Sequence, residues 1–291
     1  MEGSRRMADD KDRSKLIETI QHFRLIDDTY FNAYMDDNTR GMRLFLRVIL
    51  NEPALEVLDI QTQREVSNIY GRSVRFDVFV RDTAGVEYNL EVQRSDAWAT
   101  PERARFNSSM MDTLTVKKGF EWGKDHLPPV HVIFITEHDV LKGGKPIYHS
   151  YRTIAELDHQ RLDDNADVIY VNASYQDDSA LGRLMHDMFC ADPDDMYYEE
   201  LAERSRYFKK NEHGVMKMCE AMEKLMAEDR AETFKKAFSE GQDKGREEAN
   251  QKTILNLLAI KVKLPVIAQA TGWTEEHILD FLRSRGIQPA Q

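Results

Sequence analysis

The chain has 291 residues, of which 41% are hydrophobic and 31% charged, and it carries a net charge of −11. No run approaches the ~18 apolar residues of a membrane span, and the opening MEGSRRMADDKDRSK lacks the apolar core of a secretory signal. Two isolated cysteines, Cys190 and Cys219, and an acidic balance argue against a disulfide framework, a structural zinc site and a protein that coats nucleic acid. A reducing cytoplasm is the expected compartment.

In chain order, Leu16, Ile20, Phe23, Ile26 and Tyr30 recur near helical spacing and predict a helix over 13–37. A second helix is expected over 39–51, closing before Pro53, and strands over 56–62, 74–81 and 86–93. After Pro101 a helix is expected to run to about 124. Residues 1–150 hold 21 basic against 24 acidic side chains, and the remainder 19 against 27. The first part therefore has room for a basic strip, with Arg94, Arg103, Arg105, Lys117 and Lys118 as candidates; a solvated helix face accounts for them equally well. PPVHVIFITEHD, entered through two prolines, reads as a buried strand, and ADVIYVNASY at 166–175 repeats that character. Helix, three strands, helix and two further strands imply a mixed sheet covered by helices.

Beyond about residue 180 the strand signals stop. RLMHDMFC and MYYEELAERSRYFKK read as helices, and the charge-rich 215–250 as a solvated or oligomerising helical connector in which Gly241 and Gly245 weaken the helix. In the tail, a short helix opens near Pro265, turns at Gly272 and gives way to another with Thr274 as N-cap. This resembles a helix-turn-helix, but the second helix is acidic and poor in groove-reading Arg, Asn or Gln. A helical hairpin used for dimerisation is the favoured reading. The expected divisions are 1–178, a core; 179–249, a helical extension and charged connector; and 250–291, the small hairpin.

The stretch FDVFVRDTAGVEYNLEVQ at 76–93 keeps an acid inside each of two strands, Asp77 and Glu91. A two-residue turn would set Asp77 opposite Leu90 and mix acids with apolar side chains on one face. A three-residue loop over Thr83, Ala84 and Gly85, with Gly85 left-handed, instead pairs Val78 with Leu90, Val80 with Tyr88, and Asp77 with Glu91. Opposed carboxylates repel unless a cation lies between them, and a hard divalent ion such as magnesium suits oxygen ligands. Loss of either acid is then expected to leave the metal-free protein no less stable. A polar, solvent-facing strand face in which the acids part or pair with Arg75 is the plainer alternative. The scattered histidines 126, 131, 138, 149, 159 and 186 show no ligand spacing, and no GxxxxGK[ST] occurs.

An acid on a helix (Asp28 in DTYF), Asp77 on a strand, EVQ at 91–93 on the next and RARF at 103–106 in the following helix occur in an order that resembles the PD-(D/E)XK nucleases. The chain is most similar to their bacterial transposase, or recombination-promoting nuclease, family; VIFITEHDVLKGG and DVIYVNASY are also family-like. The resemblance implies an α/β, restriction-endonuclease-like mixed sheet flanked by helices, with an α-helical C-terminal extension. It further implies a Mg2+- or Mn2+-dependent DNA endonuclease acting in recombination. Asp77 and Glu91 would be its metal ligands and Asp28 a further acid, with Asp27 as a stand-in. Gln93 would stand in the place of the superfamily's lysine, and Arg103 and Arg105 would face substrate phosphate. DNA is the implied partner; the helical pattern of the C-terminal part separately leads us to expect homo-oligomers through the C-terminal helices, and no membrane partner is expected. Gln93 offers a dipole where lysine offers a charge, so a weak or inactive nuclease-fold module for DNA binding or protein assembly is the alternative.

Overall fold

In the computed structural model, which describes residues 15–68, 71, 73–95 and 98–287, the apolar runs form a six-stranded sheet. Its strands are β1 (Val57–Val66), β2 (Val74–Asp82), β3 (Glu87–Gln93), β4 (Val130–Thr136), β5 (Ile147–Ser150) and, after the two-residue strands β6 (Thr153–Ile154) and β7 (Gln160–Arg161), β8 (Ala166–Asn172). The order across the sheet is β1-β2-β3-β4-β8-β5. The pairs β3–β4 and β4–β8 are parallel, and the other three are antiparallel. Parallel neighbours are buried on both faces, which explains the unbroken apolar character of β4 and β8. The four-residue edge strand β5 carries too short a pattern to read in sequence.

Helices flank the sheet: α1 over 15–22, α2 (Asp28–Met35), α3 (Thr39–Leu50), α4 (Pro101–Thr115), α5 (Ala180–Phe189) and α6 (Glu199–Lys210). Helix α2 packs on β1, β2 and β3, α3 on β1, α5 and α6, and α4 on β4 and β2. Ala104, Met110 and Met111 of α4 join Phe79, Val132, Phe134 and Tyr170 in one apolar cluster. The architecture is the α/β restriction-endonuclease-like sheet expected from the motif order.

Two predicted helices differ from those observed. The helix expected over 13–37, whose first two residues lie outside the described ones, is broken between 22 and 28. The Arg24 N–H turns back to the Asp27 carboxylate at 2.9 Å, and the Ile26 N–H bonds the Met188 carbonyl of α5 at 2.9 Å. Those donors are taken from the helical ladder, so the ladder stops. The helix after Pro101 ends at Thr115 rather than near 124: Val116 turns extended, at φ −73° and ψ 99°, and Gly119 and Gly123, at φ of 99° and 89°, keep the following residues out of the helix. Lys117 and Lys118 therefore leave the helix that was expected to carry them.

The β2–β3 turn takes the three-residue form. Gly85 has φ 85°, and the ladder pairs are Arg81↔Glu87, Val80↔Tyr88, Phe79↔Asn89 and Val78↔Leu90. The reading of a half-exposed polar face does not hold, since every residue of β3 before Gln93 is buried. Helix α4 covers the side that alternation alone marks as polar. The turn also has an anchor that its glycine does not reveal. The buried Asp82 carboxylate accepts the N–H groups of Ala84 and Val86 at 2.9 and 2.8 Å and the Tyr88 hydroxyl at 2.9 Å.

The chain divides after Leu225 into two compact units. Helix α7 (Glu212–Ala259) is continuous through the charge-rich stretch, including Gly241 and Gly245. In the second unit the end of α7, α8 (Leu264–Thr271) and α9 (Glu275–Ser284) enclose Ile254, Ile267, Ile278 and Leu282. The two short helices thus close on a third. Gly272, at φ 71°, makes the turn, and the Thr274 side chain accepts the His277 N–H.

The hairpin register should depend more on Asp82 than on Gly85. Asp82→Ala strands two backbone N–H groups and a buried hydroxyl, and should cost about 2–4 kcal/mol. In Gly85→Ala the new Cβ meets nothing within 4 Å and only φ is strained, so the cost should be about 1–2 kcal/mol. Urea unfolding of both variants ranks them, and the reverse order would show that the glycine governs the turn.

Candidate active site

Strand β3 pairs with β4 along its whole length, and Glu91 lies beside Phe134. Its hydrogen-bonded pairs with β2 stop at Val78↔Leu90, while β2 continues along β1 through Phe76, Arg75 and Val74. Asp77 and Glu91 occupy the first position beyond that last pair, one on each side. Glu91 is fully buried and Asp77 half-buried.

Glu91 is bonded through both oxygens. Its Oε1 accepts the side-chain amides of Asn89 at 3.1 Å and Asn107 at 3.0 Å. Its Oε2 accepts the Arg103 guanidinium and, at 3.4 Å, the Gln93 amide. Alternation puts Asn89, Glu91 and Gln93 on one side of β3. Pro101 and the cap bond from the Arg103 N–H to Thr100 at 3.2 Å start α4 so that Arg103 and Asn107, one turn apart, point at that side. Arg105 lies about 200° round the helix from Arg103 and is exposed, so the two arginines do not share a face.

Burial raises the Asp77 carboxyl well above the usual carboxylate range, and the charges of Glu91 and then Asp28 push it further; Arg103 opposes this. Burial also raises Glu91, against Arg103, Asn89 and Asn107, which favour its charged form. Both acids are thus held above the usual carboxylate range, and their charges oppose each other. Arg103, bonded to Glu91, acts electrostatically on both carboxylates. The donors here are hard oxygens, which fit magnesium or manganese better than zinc.

Asp28 opens α2, is exposed, and accepts the Thr29 N–H at 2.6 Å. Asp27 is differently engaged, with Arg24 and with Arg94 Nη1 at 3.0 Å. Arg94 also pairs with Glu137 at 3.0 Å. Two members of the expected basic strip, Arg94 and Arg103, are thus neutralised by acids, while Arg105 is exposed and Lys117 and Lys118 lie off the helix. No strip forms. Asn89 and Asn107 escaped the sequence reading; their only signals are the spacing of two from Glu91 and four from Arg103.

A second cluster, His186, Asp187 and Cys190, closes the end of α5. Both Asp187 oxygens accept backbone N–H groups, from Tyr197 and Tyr198, each at 2.8 Å. Burial pushes the Cys190 thiol up to about 11. These groups tie the loop before α6 to α5 and leave no carboxylate oxygen uncommitted.

A family model described as PD-(D/E)XK nuclease family transposase matches residues 35–180, 146 of the 291. The match includes Asp77, Glu91, Gln93, Arg103 and Arg105, and Asp28 precedes it. No curated protein and no solved structure matches the chain.

The bonds that Glu91 accepts set it apart from Asp77, and the two acids should respond oppositely to substitution in EDTA. Asp77→Asn removes a repelled, desolvated charge and should stabilise by on the order of 1 kcal/mol. Glu91→Ala strands Arg103 and two buried amides and should cost about 3–5 kcal/mol. Thermal melting decides; a Glu91→Ala protein as stable as wild type would mean that the observed bonds carry little energy.

Proposed function

Because the chain belongs to the PD-(D/E)XK nuclease family of transposases, we propose that it is a divalent-metal-dependent DNA endonuclease acting in DNA mobility or recombination. The observation that carries this reading is a buried Glu91 beside Asp77. The sheet gains nothing by desolvating two carboxylates, whereas a phosphodiesterase gains a cation site. Asp77 and Glu91 would hold Mg2+ or Mn2+, with Asp28 adding negative charge at the rim. Such a cation supplies a Lewis acid and neutralises charge on the reacting phosphate.

The protein's own groups do the rest. Gln93, 3.4 Å from Glu91, orients water or a phosphate oxygen through its amide dipole. Arg103 and the exposed Arg105 meet phosphates at two separate places along the backbone. In this reading Asp27 serves the fold, through its bonds to Arg24 and Arg94, and Asp28 is the helix acid of the site. The alternative, a nuclease fold kept for binding or assembly, draws support from Gln93 in the lysine position and from the Arg103–Glu91 pair.

Residues 250–291 are a targeting or assembly appendage with their own apolar cluster, and copies associate through the C-terminal helices. Phe234 and Phe238, stacked at 6.2 Å and 71% and 58% exposed on α7, support that association.

Plasmid nicking in Mg2+, Mn2+ and EDTA tests the activity. Wild type should nick with metal alone, and Asp77→Asn and Glu91→Gln should each lose at least about 100-fold. Undiminished nicking by both variants would remove the carboxylates from the chemistry, and a wild type inert in every metal would favour the assembly reading. Separately, Phe234→Ser/Phe238→Ser should lower the mass measured by light scattering, and an unchanged mass would place association elsewhere.

A further inference from the structure

Glu91 offers its two oxygens to different kinds of donor. The inner oxygen, Oε1, receives two neutral amides whose residues, Asn89 and Asn107, are 0% exposed. The outer oxygen, Oε2, receives Arg103 and Gln93, both only partly buried. The two asparagines also leave their own Oδ1 atoms buried without a protein partner. Buried amides placed only for packing would satisfy their oxygens, because an unmet acceptor is costly. Neither amide can be flipped to mend this, since Oε1 is an acceptor and needs their N–H groups.

Arg103 is held differently. Its second contact, from Nη1 to the Trp98 carbonyl at 3.3 Å, lies at the exposed start of α4. It can leave Oε2 while keeping an anchor, whereas the asparagines have nowhere to go. A guanidinium and a divalent cation on one carboxylate oxygen repel each other.

Building on the metal-dependent reading above, we propose that Asn89 and Asn107 are positioning residues that hold Glu91 by Oε1, so that Oε2 alone faces the cation. Arg103 occupies Oε2 in the metal-free protein and yields it when the cation arrives. Metal loading thereby frees a guanidinium beside the site for a phosphate. Arg103 is a counter-ion in one state and an anion contact in the other, which couples cation binding to DNA binding.

Calorimetric titration of Mn2+ into the EDTA-stripped full chain tests this, with Arg103→Gln, Asn107→Ala and Asn89→Ala beside wild type. Arg103→Gln should bind Mn2+ at least about tenfold more tightly, having lost the competing charge. Each asparagine variant should bind at least about tenfold more weakly, and the two are independent arms should one fail to fold. A residue that only supports the fold would lower the melting temperature in EDTA and leave the affinity of the folded protein unchanged. Wild-type affinity in Arg103→Gln, or in the folded asparagine variants, overturns the proposal. Absence of Mn2+ binding by wild type overturns the metal reading and this proposal together. The expected affinities with no nicking by wild type would support the proposal and overturn the nuclease reading alone.

Discussion

Glu91 keeps a carboxylate in the middle of a sheet that is covered on both faces, and the surrounding structure is built to tolerate it. A buried charge is stable only when its lone pairs are met by donors and some opposite charge is near. Two asparagines, a glutamine and an arginine meet those needs. The arginine and one asparagine come from α4, so the placement of that helix is set by electrostatics as much as by the apolar cluster beneath it. Thr100 and Pro101 fix where α4 begins, and hence which of its side chains reach the strand.

The second acid depends on a fork in the sheet. β2 leaves β3 after Val78↔Leu90 and stays with β1, while β3 stays with β4. A slip of one residue in the hairpin would turn Glu91 to the other face and Leu90 into its place. Asp82 and Gly85 prevent the slip, one by gathering three donors and the other by accepting a positive φ. The break before α2 has a comparable effect. It assigns Asp27 to two arginines and leaves Asp28 exposed at the helix start, within electrostatic reach of Asp77.

Outside the site, polar pins join the helices that follow the sheet to one another and to the segments that precede it. Lys209 of α6, whose ammonium is lowered to about 8 by burial, donates to the carbonyls of Gln21, Phe23 and Ala191. Arg204 donates to the carbonyls of Tyr34 and Asp36, and Asp187 gathers the amides that precede α6. Each pin serves chain ends whose backbone groups have no partner in a helix or ladder. The second unit needs little of this, because its three helices close on an apolar cluster.

Local pattern was enough to find β2 and β3, their register, the buried strands β4 and β8, and the turn and cap at Gly272 and Thr274. Each follows from alternation, an apolar run or a residue suited to one backbone conformation, and such signals are carried by neighbours in the chain. The order Asp28, Asp77, Glu91, Gln93, Arg103 was legible for a similar reason, since a motif is a sequence of types. Tertiary structure decided what those residues do to one another. That Arg103 reaches Glu91 while Arg105 faces away, that Asp27 is already engaged, and that Asn89 and Asn107 complete the carboxylate's shell all depend on how α2 and α4 lie on the sheet. The burial of the acidic strand face is decided in the same way. Alternation marks a side as polar, but only a helix laid across it makes that side dry, and desolvation is what turns two ordinary carboxylates into a strained pair.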